Sequence, residues 1–129
     1  MVDITVFTPS YNRAELLPRL YQSLKNQTSK NFLWLVIDDG STDNTKAVVR
    51  NWIDSEKDFE IQYIYKENGG LHTAYNEAIA HLETELAVCI DSDDYMPNDA
   101  IAIITEFWQK NGSEQYGGIV ADGRETYLV

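Results

Sequence analysis

Three carboxylates follow one short apolar run: Ala87-Val88-Cys89-Ile90 leads directly into Asp91-Ser92-Asp93-Asp94. Side chains crowded like this repel one another unless something cationic sits between them. The cluster is rich in oxygen and free of sulfur, which suits magnesium or manganese, ions usually shared with the phosphates of a substrate. Asp91 and Asp93 are the candidate metal ligands. The competing interpretation is a solvated acidic turn, with Asp94 or Asn98 capping the helix that follows. From these residues alone the two stand level.

Three further polar clusters carry side chains of the same chemical kind. Asp38-Asp39-Gly40-Ser41-Thr42-Asp43 follows six apolar residues, and its carboxylates could bind a base or a ribose or could cap a helix. Thr8 to Arg13 contains the cation nearest the end of the first apolar run. Arg13 fits a diphosphate partner as well as a solvated surface arginine. Asn68-Gly69-Gly70 holds a glycine pair, which lets a backbone approach a ligand or simply turns the chain. Neither GxxxxGK nor GxGxxG is present, so a phosphate-cradling P-loop and a dinucleotide fingerprint are both excluded.

The elements that position these clusters alternate. Residues 2–8 are rich in β-branched side chains, residues 32–37 are apolar throughout, and residues 60–65, 87–90 and 118–121 complete a set of five predicted strands. Leu16, Leu17, Leu20 and Leu24 recur at helical spacing, with Pro18 tolerated in the first turn. Val48, Val49, Trp52 and Ile53 mark a second helix, capped by Ser41, Thr42 or Asp43. Leu71, Ala74, Tyr75, Ala78, Ile79 and Leu82 stripe a third. A fourth follows Asn98, carries Ile101, Ile104, Phe107 and Trp108, and stops at Gly112. Strands alternating with helices mean βαβ units and a mostly parallel α/β sheet covered on both faces. Parallel strands place all four polar clusters along one sheet edge, where ligands gather. That agreement carries more weight than any single cluster.

Composition narrows the partners. The chain has 129 residues, 43% of them hydrophobic and 12% aromatic, enough for a core of its own. Ten basic against 21 acidic residues leave a formal charge of -11. This argues against nucleic acid and against unaided docking on an anionic membrane. The single Cys89 excludes an intramolecular disulfide and a cysteine-rich zinc site. With no hydrophobic signal and no span-length apolar run, a cytoplasmic location is expected.

Taken together the clusters resemble a known family. Thr8-Pro9-Ser10-Tyr11-Asn12-Arg13, Val36-Ile37-Asp38-Asp39-Gly40-Ser41-Thr42-Asp43, Glu67-Asn68-Gly69-Gly70-Leu71 with Asn76, and Ile90-Asp91-Ser92-Asp93-Asp94 are similar to the blocks of inverting family 2 glycosyltransferases, in order and separation. The resemblance implies a GT-A fold, a Rossmann-like three-layer α/β/α sandwich. It implies that Thr8, Pro9 and Tyr11 line a uracil and ribose pocket with Arg13 nearby. Asp39 would accept a hydrogen bond from the base, with Asn68 and Gly70 also at the donor. Asp91 and Ser92 would lie against ribose and diphosphate, and Asp93, with Asp91, would hold Mn2+ or Mg2+. The donor would be a nucleotide-sugar, UDP by family habit. The acceptor would be a hydroxyl of a saccharide or lipid-linked molecule in bacterial surface polysaccharide synthesis.

One departure accompanies the match. In the family the general base lies well downstream of the acidic block, beyond a segment resembling residues 117–122. Asp122 and Glu125 are too close to that strand to serve. The chain is therefore expected to be a single donor-binding domain, residues 1–129, of a longer enzyme, with its base beyond Val129. Self-association through a newly exposed apolar face is a further expectation. Two rivals fit poorly. A receiver domain needs its acidic pair after the first strand and a lysine after the fifth, and an aspartyl phosphatase needs DxDx(T/V) on the first. Here the first strand ends in Thr8-Pro9. A non-catalytic nucleotide-sugar-binding module remains the alternative.

Overall fold

Strands that are apolar on both faces must be covered from both sides, and the first two strands of this chain are of that kind. In a computed structural model, which describes residues 2–111, 119–121 and 126–128, β1 (Ile4–Ser10) and β2 (Phe32–Asp38) are buried along nearly their whole length. They pair in parallel from Ile4 opposite Phe32 to Ser10 opposite Asp38. β3 (Ile61–Tyr65) joins the outer side of β2, and β4 (Leu86–Cys89) the outer side of β1, both parallel. The strand order is β3-β2-β1-β4.

Four helices connect these strands: α1 (Leu17–Lys25), α2 (Thr45–Ser55), α3 (Leu71–Ala80) and α4 (Ala100–Asn111). The larger core lies on one sheet face, where Leu17, Leu20 and Leu24 of α1, Val49 of α2, and Ile101 and Ile104 of α4 meet Ile4, Val6, Trp34 and Val36. On the other face Ala74 and Ala78 of α3 meet Phe7, Leu35 and Ile37. The result is the expected three-layer α/β/α arrangement. The crossover through α3 carries the chain from one sheet edge to the other, so strand order reverses between β1 and β4. That reversal opens a crevice beyond the carboxyl ends of the strands.

Several local expectations met a different outcome. Asn98 was the expected cap of the last helix, but Gln27 performs that work from the end of α1. Its Oε1 accepts the Ile101 N–H at 3.1 Å, while its Nε2 donates to the carbonyls of Pro97 (2.6 Å) and Ser23 (3.2 Å). A buried amide with both ends satisfied outcompetes an exposed asparagine that must give up its own hydration. At α2 the cap position is Asn44, which makes no side-chain capping bond, and Asp43 just before it accepts the Thr45 N–H at 3.0 Å. Pro18 stands in the first turn of α1. The expected fifth strand exists as β5 (Ile119–Ala121), yet it lies outside the parallel sheet. It pairs antiparallel with β6 (Thr126–Leu128), a strand the sequence pattern did not announce. Three-residue strands carry too little periodicity to reveal their partners. The expected stop at Gly112 and the residues Gly117, Gly118, Asp122 and Glu125 lie outside the described residues.

Trp34 is fully buried at the centre of the larger core, flanked by the rings of Tyr21 at 6.0 Å and Trp52 at 5.9 Å. Its indole N–H needs an acceptor there, and the Thr8 hydroxyl provides one at 2.9 Å. Thr8→Val keeps the shape but strands the indole donor in an apolar surrounding. Urea denaturation should show a loss of about 2 kcal/mol, the cost of one buried unsatisfied donor.

Candidate functional site

The loops after β1, β2, β3 and β4 emerge side by side at the carboxyl edge of the sheet, as parallel pairing requires. Each is irregular backbone whose N–H groups need partners, and the structure satisfies many of them from the neighbouring loop.

Asn12 joins the first loop to the second. It holds a φ of +52°, a left-handed conformation that asparagine tolerates better than most residues. In that pose its Oδ1 accepts the backbone N–H groups of Thr42 (2.8 Å) and Asp43 (3.3 Å). Its own N–H donates to Ser41 Oγ at 2.8 Å, and Ala14 N–H donates to Asp43 Oδ2 at 3.1 Å. Beneath them Asp38 is fully buried, accepting the Ser41 N–H at 2.8 Å and the Tyr63 hydroxyl. Burial and that hydrogen bond together push the Tyr63 phenol well above its ordinary range.

Asp39 joins the second loop to the third. Its Oδ1 accepts from Lys66 Nζ at 2.7 Å and from the Gly69 N–H at 3.0 Å, and its Oδ2 accepts the Gly70 N–H at 3.0 Å. Asn68 Nδ2 donates to the Asp39 carbonyl at 3.0 Å. Lys66 spends its other N–H groups on Thr73 Oγ1 (2.8 Å) and the Glu67 carbonyl (2.6 Å). Burial alone would raise the Asp39 pKa, but the hydrogen bonds from Lys66, Gly69 and Gly70 outweigh it and hold the carboxyl below its ordinary 3.8. Gly40 permits the close approach of the two loops: a Cβ there would lie 2.7 Å from the Asn68 nitrogen.

The fourth loop carries the acidic cluster. Asp91, Asp93 and Asp94 are exposed, and one carboxylate oxygen from each lies within 4.8 Å of the others. Ser92 between them is buried, only 6% exposed, so the loop turns its serine inward and its carboxylates outward. The Asp94 N–H closes the turn on the Asp91 carbonyl at 3.0 Å. Three converging hard oxygen donors fit a divalent cation of the Mg2+ or Mn2+ kind. The loop is also tied to α1, where Arg19 Nη2 donates to the Asp93 carbonyl and the guanidinium lies 5.0 Å above the Tyr95 ring.

Most of the residues expected to bind ligand fall into three groups. Tyr11 (47% exposed), Arg13, Asn68, Asp91 and Asp93 stand at the surface of this edge. Thr8 is fully buried with its hydroxyl committed to Trp34, and Pro9 is buried beside it, so both back the site rather than face it. Asp39 and Gly70 reach the edge already bonded to each other. Ser10 Oγ is the one buried side-chain polar atom without a hydrogen-bond partner among the described residues, and it sits where β1 enters the first loop. Sequence reading missed Arg19 and Lys66. Their partners lie 74 and 27 residues away, so no local pattern signals either contact.

The Asp39 carboxyl, lowered in the folded chain, contributes stability above its ordinary value of 3.8 and loses it as pH falls through the lower folded value. Lys66→Met should therefore cost about 2 kcal/mol near neutral pH, the size of a charge-assisted hydrogen bond. Urea titrations across the acid range should show the gap between wild type and variant constant above about pH 4 and narrowing below it.

Comparison with known proteins places this edge in context. The model of glycosyl transferase family 2 matches residues 5–127. The glycosyltransferase GlyA of Streptococcus pneumoniae is 36% identical over 98 residues, covering 76% of this chain and 14% of GlyA. The chondroitin synthase of Pasteurella multocida is 30% identical over 108 residues, covering 84% of this chain and 11% of the synthase. Among solved structures, Staphylococcus aureus TarS 1–349 in complex with UDP-GlcNAc superposes with a TM-score of 0.77 at 26% identity, over 84% of this chain and 32% of that one. The mannosyltransferase PcManGT of Pyrobaculum calidifontis, in complex with GDP-Man and Mn2+, gives 0.75 at 28% identity, over 81% and 32%. The chain thus spans about a third or less of each protein it is compared with here. Its four-stranded parallel sheet and the loops at its carboxyl edge are those of the GT-A fold, and the chain belongs to glycosyl transferase family 2.

Proposed function

We propose that this chain is the donor-binding portion of a glycosyltransferase that takes its sugar from a nucleoside diphosphate and passes it, with inversion, to an acceptor hydroxyl. The observation that carries this reading is the convergence of four loops on one sheet edge, three of them cross-linked, with three carboxylates on the fourth close enough for one ion. In this reading Tyr11 and the Asp39–Asn68 junction receive the nucleoside, Arg13 faces the diphosphate, and Asp91 and Asp93 hold Mn2+ or Mg2+. A divalent ion bound there would neutralise charge on the diphosphate leaving group. UDP is the proposed nucleotide, supported by the UDP-GlcNAc complex of TarS, and Mn2+ by the PcManGT complex. Surface polysaccharide synthesis, with a saccharide or lipid-linked acceptor, is supported by likeness to the chondroitin synthase.

The chemistry divides accordingly. The described residues bind and orient the donor, and Lys66 and the loop amides keep Asp39 ionised as an acceptor at neutral pH. Deprotonation of the acceptor hydroxyl needs a carboxylate base, which this reading assigns to residues beyond Val129. No described helix is long and apolar enough to cross a membrane.

Calorimetric titration of the chain with UDP, with and without Mn2+, tests the proposal. Binding should require the ion and should weaken about tenfold or more in Asp93→Ala, equivalent to ~1.4 kcal/mol. GDP and dTDP run in parallel identify the base. Folded wild-type chain that binds none of the three nucleotides would sink the reading.

A further inference from the structure

The acidic loop does not hold its shape alone. Arg19 and Ser23 of α1, and Gln27 just past its end, follow one another at four-residue intervals along one side of the helix. All three reach the segment that runs from the acidic loop into α4. Ser23 Oγ accepts the Met96 N–H at 3.0 Å, and Gln27 bonds both the Pro97 carbonyl and the Ile101 N–H. One residue further, the Thr28 N–H donates to the Asn98 carbonyl at 2.8 Å. Ser23 and Gln27 are buried and fix the far end of the segment. Arg19 is exposed and fixes the near end at the backbone carbonyl of Asp93.

We propose that Arg19 is a positioning residue of this site, setting the spacing of the Asp91, Asp93 and Asp94 carboxylates through its grip on the Asp93 carbonyl and the Tyr95 ring. The inference rests on the donor-site reading above. A planar guanidinium can lie over a ring while an edge N–H donates in its own plane, which an ammonium group cannot match. Bonded to a backbone oxygen, Arg19 restrains the turn and leaves the Asp93 carboxylate free for an ion.

Two effects of Arg19 on a bound cation have opposite signs, which makes the idea decidable. Its positive charge close to the cluster repels a divalent ion, so simple removal of the charge should tighten binding. Its restraint on the turn pre-organises the ligands, so removal should weaken binding, and groups that orient metal ligands are typically worth about tenfold or more in affinity.

The experiment measures Mn2+ affinity of the 129-residue chain at saturating UDP, from the electron paramagnetic resonance signal of free Mn2+. Arg19→Met should bind Mn2+ about tenfold more weakly than wild type, with Arg19→Lys between the two. Tighter binding in Arg19→Met with Arg19→Lys like wild type would reduce Arg19 to a counter-charge and overturn the proposal. Equal affinity in all three chains overturns it as well. Thermal midpoints of each variant report folding. Tyr95→Leu, which removes the stacked ring without altering α1, should show a smaller loss in the same direction and carries the test if Arg19→Met does not fold. Wild-type chain that binds no Mn2+ with UDP overturns the donor-site reading, and this proposal with it. Wild-type binding unchanged in the variants overturns this proposal alone.

Discussion

The carboxylate of Asp39 is the joint on which the loops after β2 and β3 depend. It follows β2 directly, receives a lysine and two backbone amides from the loop after β3, and is nearly removed from solvent. A carboxylate so placed is costly to bury and strongly held once its donors are present. Its partners therefore have no comparable alternative, and the third loop is folded back against the second. The same device recurs in weaker form between the first and second loops, where Asn12 offers a side-chain carbonyl to two backbone amides. The sheet sets where the loops begin; these polar contacts set where they go.

On the other side of the reversal in strand order the construction differs. The acidic loop has exposed charges and is held from behind by α1. Tight ion pairing within the loop would use up the carboxylates that a cation needs. Anchoring by backbone carbonyls and by the face of a tyrosine keeps them available. The site thus has a saturated half, suited to recognising a fixed shape, and an unsaturated half, suited to accepting charge.

Much of this was legible in the sequence. Runs such as residues 32–37, apolar at every position, could only be strands covered on both faces, and the polar clusters that follow them had to share one edge. The carboxylate triad and the family resemblance were equally plain. What escaped were contacts between distant residues. Nothing local marks Gln27 as the cap of a helix that begins 73 positions later, since the local rule favoured Asn98 and tertiary burial overrode it. No local pattern marks Lys66 or Arg19, whose partners lie 27 and 74 residues away. Thr8 was expected to face a ligand, and the demand of the Trp34 indole for an acceptor turned it inward.

The closeness of Gly40 to Asn68 has a consequence for how such a site changes over time. With 2.7 Å between a would-be Cβ and a neighbouring backbone nitrogen, and a φ of +83°, position 40 admits no side chain unless the third loop retreats. Retreat would release the amides that Asp39 holds. The two loops therefore form one mutational unit: side chains on either loop can be exchanged singly, but lengthening or re-routing one requires simultaneous change in the other. Diversification is steered instead toward the loop after β4, whose anchors on α1 lie outside that unit.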